Sequence, residues 1–225
     1  MEKRTIKISN NWSEVTLKER LELEKIYSNE ELEPEIKTLK AIALLSHEDE
    51  STINSISFQD FATLASNLEF LKSSPEFKVP KKITVDGVDY NVISDLTSIT
   101  TAQYFDFTTL MKQYSESKDE ELLYKMVAVF LIPENKKYLD GYDIEDVASI
   151  VPNISYGAVQ GLISFFIRCR QKFIEITLNY LLNQIPKKQR MELKKQLKKN
   201  KIPHTTLLET LVQLQKSQDT ISSKS

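Results

Sequence analysis

The order of elements in the first 71 residues returns between residues 92 and 166, and that recurrence restricts the fold more than any motif does. Each stretch opens on a short polar step into a helix, Asn11-Trp12-Ser13-Glu14-Val15-Thr16-Leu17 in one and Asp95-Leu96-Thr97-Ser98-Ile99-Thr100-Thr101 in the other. Each then runs through an amphipathic segment to a tyrosine, Tyr27 or Tyr114. A short apolar helix follows, Leu39–Leu45 or Leu122–Leu131, then a polar, acid-containing connection. A last helix closes on Phe70-Leu71 or Phe165-Phe166. Identity between the stretches is low, so a chance recurrence of helical order is the competing reading. A repeated helical unit cannot bury its apolar face alone, which suggests surfaces for stacking or for partners rather than a reaction centre.

The expected fold is therefore mainly α: a helical body, read as two quasi-repeated helical units, with one small antiparallel β-hairpin and a basic helical C-terminal arm. The boundaries are residues 1–75 for the first unit, 76–185 for the hairpin and second unit, 186–216 for the arm and 217–225 for a polar tail expected to be disordered. Four glycines and seven prolines are too few for a sandwich or barrel built on many tight turns. The single cysteine, Cys169, excludes an internal disulfide framework and fits a reducing compartment. Its neighbours Arg168 and Arg170 would lower a thiol pKa, but a small apolar group on a helix is the plainer reading. Residues 1–10 carry no apolar signal core, and the apolar run Leu162–Ile167 falls well short of the ~20 residues of a membrane span. A soluble protein made in the cytoplasm is expected.

Along the chain, Thr5-Ile6-Lys7-Ile8-Ser9 alternates like a short strand. Ser13 or Thr16 can cap a helix carrying Val15, Leu17, Leu21, Leu23 and Ile26. Pro34 opens the next helix. Ser57 caps another, in which Phe58, Phe61, Leu64, Leu68 and Leu71 form the stripe. Ile83-Thr84-Val85 and Val88–Val92 flank Asp86-Gly87, a type I′ hairpin signal. Such a hairpin needs a further strand or a helix to pack on, and Thr5–Ser9 or a neighbouring subunit is the expected source. Thr100 starts a helix; Leu122–Leu131 reads as the central apolar helix, stopped by Pro133. A short helix over Asp143–Val151 and a long one from Ser155 to about Gln184 follow.

Chemistry is sparse. His47 and His204 each lack a second histidine or cysteine at ligand spacing. Asp140, Asp143, Glu145 and Asp146 do not fit a calcium loop and read as a solvated acidic turn. No phosphate-cradling glycine loop and no nucleophile elbow is present. Gly157 and Gly161 lie on one helical face and suit close helix packing. The expectation is no enzyme, no cofactor, no metal site and no small-molecule substrate.

Charge is unevenly placed. Residues 1–160 hold 17 Lys/Arg against 28 Asp/Glu, and residues 161–225 hold 13 against 4. An acidic body with a basic arm has anionic partners: nucleic acid, a membrane surface or an acidic protein face. The candidate contacts are Lys187, Lys188, Arg190, Lys194, Lys195, Lys198, Lys199 and Lys201. No aromatic is interleaved to stack on bases, so nucleic-acid contact would be with the phosphate backbone. If that contact exists, replacing Lys194, Lys195, Lys198 and Lys199 by Glu abolishes retention on a DNA column and flattens its salt dependence.

Ile8 followed by Trp12-Ser-Glu-Val-Thr-Leu, then Ile83-Thr-Val-Asp-Gly-Val-Asp-Tyr, Ile99-Thr-Thr-Ala-Gln-Tyr-Phe-Asp-Phe and Leu131-Ile-Pro-Glu-Asn-Lys-Lys-Tyr-Leu-Asp-Gly-Tyr-Asp-Ile together resemble uncharacterised virion and tail-assembly proteins of tailed bacteriophages of gut Bacteroidetes hosts. The resemblance covers roughly residues 5–185 and carries no site residues. It implies a non-enzymatic structural or assembly protein near the portal or tail, assembled in the host cytoplasm, homo-oligomeric and in contact with other virion or tail proteins. The alternatives are a tail-assembly chaperone absent from the mature particle and a DNA-binding accessory protein.

Overall fold

The computed structural model describes residues 6–74 and 79–184. It is mainly helical, with one three-stranded antiparallel sheet among the described residues. The chain divides into two compact units, Met1–Phe165 and Phe166–Ser225. Among the described residues no helix is long and apolar enough to cross a membrane.

Both stretches begin with the same local hydrogen-bond pattern. In the first, Asn11 Oδ1 accepts from the Ser13 N–H at 3.0 Å and from the Ser13 hydroxyl. In the second, the Asp95 carboxylate accepts from the Thr97 N–H at 3.2 Å and from the Thr97 hydroxyl. Three residues later a threonine caps a helix. Thr16 Oγ1 accepts from the Glu19 N–H at 3.2 Å, while Glu19 Oε2 accepts from the Thr16 N–H at 2.7 Å. Thr100 and Gln103 exchange the same two bonds at 3.2 and 3.1 Å. Each box satisfies donors that a helix start otherwise leaves open. It also fixes where the helix begins: α1 is Leu17–Ser28 and α5 is Thr101–Ser117.

The remaining helices follow in matching order. α2 (Pro34–Ser46) has Pro34 in its first turn and ends at His47, whose φ of 56° is left-handed. There the N–H groups of His47 and Glu48 return to the Leu44 and Ala43 carbonyls, at 3.3 and 3.1 Å. α3 is Glu50–Ser55, and α4 (Phe58–Asn67), capped by Ser57, continues as a 3₁₀ turn over Leu68–Lys72. α6 (Glu120–Ala128), α7 (Ile144–Ile150) and α8 (Tyr156–Gln184) stand in the second stretch where α2, α3 and α4 stand in the first. Val15, Leu23, Ile42, Leu45, Ile53 and Leu64 form the buried centre of the first stretch. Two expectations need correction here. Residues 6–10 form no strand, and Thr5 lies outside the described residues. Ile6 and Ile8 pack on the helical core, and Ser9 donates one bond to the Leu45 carbonyl at 3.2 Å. Phe58, counted in the apolar stripe of α4, is 86% exposed.

The hairpin forms as the Asp-Gly pair predicts. β1 (Lys82–Val85) and β2 (Val88–Val92) pair in register from Val85↔Val88 to Lys82↔Asn91. Asp86 and Gly87 both take positive φ, 50° and 78°, as a type I′ turn requires. A Cβ at residue 87 would meet nothing within 4 Å, so substitution there is opposed by the backbone alone. Gly87→Ala is expected to lose about 1 kcal/mol in urea unfolding, and Gly87→Asn less than half of that. An equal loss for both would rule out the left-handed backbone as the cause.

The third strand comes from a segment expected to be helical. α6 stops at Ala128, and Leu131–Pro133 forms β3, antiparallel to β2 with Asn91 opposite Ile132. Met126 through Leu131 are all buried. An apolar run buried on every side carries no periodicity to tell helix from strand. Pairing decides instead: the Ile93 N–H bonds to the Phe130 carbonyl at 3.0 Å, and the Glu134 N–H to Asp89 at 2.9 Å. Pro133 sits opposite Tyr90 on the outer strand, where a missing N–H costs no ladder bond. Across the sheet, Lys82 pairs with Asp89 at 2.7 Å and Glu134 at 3.0 Å, holding the Asp89 carboxyl below its usual range. On the helical side, Lys25 of α1 reaches Glu120 of α6 at 3.0 Å. Tyr124 donates to the same Glu120, and burial followed by that carboxylate pushes the phenol up to about 12.

Candidate interaction site

The two ends of unit 1 meet through backbone. Thr16 and Ser155 form an isolated antiparallel bridge. The Leu17 N–H donates to the Ile154 carbonyl at 2.8 Å, and the Tyr156 N–H to the Val15 carbonyl at 2.7 Å. Val15, Leu17 and Ile154 are buried beside it. Both segments immediately precede or start a helix, so each still had open backbone groups to offer.

Side chains seal the junction. The Tyr156 ring lies 5.3 Å from Trp12 and carries the Arg20 guanidinium 5.5 Å above its centre. Trp12 also meets Phe70 edge-on at 5.3 Å and donates its indole N–H to the Ser73 carbonyl at 2.9 Å. From this cluster a groove of about 880 Å³ runs between α1 and the end of α4, over Leu23, Tyr27, Leu68 and Leu71. Its rim charges are already paired, Arg20 with Glu24 at 3.5 Å and Lys72 with Glu69 at 2.7 Å. An apolar floor, aromatic walls and a neutralised rim suit an apolar polypeptide segment better than a charged small molecule.

The candidate contacts Lys187, Lys188, Arg190, Lys194, Lys195, Lys198, Lys199 and Lys201 all lie outside the described residues. The acidic turn is accounted for locally. Asp143 caps α7 through the Glu145 N–H, Glu145 pairs with Lys125 at 2.9 Å, and Asp140 bridges to Lys137. His47 is exposed, with Nε2 3.6 Å from Glu19. Among the described residues no group of three or more His, Cys, Asp or Glu could hold a metal ion. Sequence reasoning missed the junction, because Trp12 and Arg20 come from one end of unit 1 and Tyr156 from the other. The only available signal was that the sole tryptophan precedes a capping box.

Trp12→Phe keeps a ring against Tyr156 but loses the indole bond to the exposed Ser73 carbonyl, which water then solvates. A loss of about 0.5–1.5 kcal/mol in urea unfolding followed by far-UV circular dichroism is expected; an unchanged midpoint would show that the indole bond contributes nothing. No family model, curated protein or solved structure matches this chain.

Proposed function

We propose that the chain is a non-enzymatic structural or assembly protein of a tailed-bacteriophage virion, working at the portal or tail through protein–protein contacts. The observation that carries this reading is the open groove beside Trp12 and Tyr156, with its apolar floor and self-paired rim. The resemblance over residues 5–185 supplies the virion context. Helical units with matching order supply repeated contact surfaces, and the basic segment 187–201 supplies charge toward an acidic partner or DNA.

Mass spectrometry of purified particles tests the reading directly. The chain is expected at a fixed copy number relative to the portal protein. Presence in infected cells with absence from particles would instead make it an assembly chaperone, whose groove shields an apolar segment until the tail is built. Absence of any association with tail or portal proteins at either stage would overturn both.

A further inference from the structure

The junction between Val15-Thr16-Leu17 and Ile154-Ser155-Tyr156 has an unmade counterpart in the same molecule. The lead-in Val15-Thr16-Leu17 corresponds to Ile99-Thr100-Thr101 through the shared capping boxes. The step Ile154-Ser155-Tyr156 corresponds to Ile56-Ser57-Phe58. Both place Ile-Ser-aromatic at the start of the last helix of their stretch. Both isoleucines donate their N–H to the carbonyl three residues back, Ile56 to Ile53 and Ile154 to Val151. Deeper in the helices the match continues, with Leu64 and Leu162 both buried.

Among the described residues only one pair of these segments is joined. Val15, Leu17 and Ile154 are buried by the junction, whereas their counterparts Ile99, Thr101 and Ile56 are half-buried or exposed. Among the described residues, the N–H groups of Thr101 and Phe58 and the carbonyls of Ile99 and Ile56 take no backbone partner. These are the four groups whose equivalents bond in the closed junction. Phe58 stands where Tyr156 stands, yet it is 86% exposed. Leu96 and Tyr104 occupy the places of Trp12 and Arg20 in the second lead-in.

We propose that the unmade junction closes between copies of this chain, Ile56-Ser57-Phe58 of one copy pairing with Ile99-Thr100-Thr101 of the next. The contact repeats the geometry of the internal bridge: the partner's lead-in donates from its residue 101 N–H to the Ile56 carbonyl, and the Phe58 N–H donates to the partner's residue 99 carbonyl. Phe58 then covers the start of the neighbour's α5. Because the two surfaces differ, the contact is head-to-tail and builds a ring if its rotation closes, or a filament if it does not. This deepens the assembly reading by naming the surfaces through which copies meet. It is tested on the isolated full chain, so its failure leaves the particle measurement unaffected.

Two substitutions break opposite faces and spare the fold. Phe58→Asp charges an exposed side chain. Thr101→Pro removes one N–H at the first helical position, where proline is favoured, behind a Thr100 whose φ of −77° and ψ of 157° already suit a residue preceding proline. Light scattering of the wild-type chain up to about 0.1 mM, a range that detects weak specific contacts, is expected to show species above the 26.0 kDa monomer. Each variant alone is expected at monomer mass with an unchanged unfolding midpoint. Mixed together, each supplies the face that the other lacks, and a dimer of twice 26.0 kDa is expected to form and grow no further. A wild type that stays monomeric, an oligomer that survives both substitutions, or a mixture that gives no dimer each overturns the proposal.

Discussion

Truncating Phe130 to alanine is expected to lower the free energy of unfolding by about 3–5 kcal/mol, the largest effect of any single apolar truncation in unit 1. Phe130 is 1% exposed and is the largest fully buried side chain among the described residues. Its ring meets Phe107 of α5 at 5.2 Å, and its carbonyl accepts from Ile93 where β2 ends. Helix and sheet therefore meet at this residue, α5 through its ring and β2 through its backbone. The cavity left by alanine faces Phe107 of α5 in a close-packed interior, so collapse into it is limited. Phe130→Leu retains most of the volume and is expected to cost no more than about 1.5 kcal/mol. Urea unfolding followed by circular dichroism gives both values. A loss under about 1 kcal/mol for the alanine variant would mean that the α6–β3 corner is not a packing centre.

The position of Phe130 also marks where the sequence stops being legible. Helix starts could be read, because a capping box is a local device: Thr16 with Glu19, Thr100 with Gln103, Ser57 and Asp143 all cap where their side-chain chemistry allows. The Asp86-Gly87 turn was readable for the same reason, since positive φ at two successive residues is a local demand. The apolar run through Leu131 was not. Its fate depends on a hydrogen-bonding partner about forty residues earlier, and no periodicity inside the run reports that. The alternation at Ile6 and Ile8 misled in the opposite sense: two isoleucines can pack on a helical core without any ladder. The groove was invisible for a topological reason. Trp12 and Tyr156 become neighbours only after every helix between them is placed. Phe58 shows the limit of the helical period itself, since a residue at the first turn can follow the stripe and still face water.

Gln103 carries the second large expected effect, and pH separates its roles. It is fully buried, with a relative exposure of 0%. Its carbonyl oxygen accepts from the Thr100 N–H and hydroxyl at the start of α5, and its amide donates to the Val129 carbonyl at 2.9 Å, just past the end of α6. One side chain thus satisfies groups that two helix termini would otherwise leave open. Glu19 occupies the same place in the first stretch and also reaches toward the cap of the following helix, where it meets His47 instead of a carbonyl. A carboxylate cannot donate to a carbonyl, which is why the second stretch needs an amide. Gln103→Ala is expected to cost about 3 kcal/mol, combining the cap with a stranded buried carbonyl, and to do so equally at every pH. Gln103→Glu keeps the cap and loses only the donor. Burial and the facing carbonyl raise the folded pKa of that carboxyl above its unfolded value of about 4.3. Below that value the acid is protonated in both states and its O–H can serve Val129, so stability approaches wild type. As pH rises past it, the unfolded chain gives up its proton first and the variant weakens, until the folded carboxyl ionises too. Stability of Gln103→Glu relative to wild type should therefore fall steadily from pH 4 to pH 7 in paired urea titrations. A loss that does not change over that range would show that the bond to Val129 is not what Gln103 contributes.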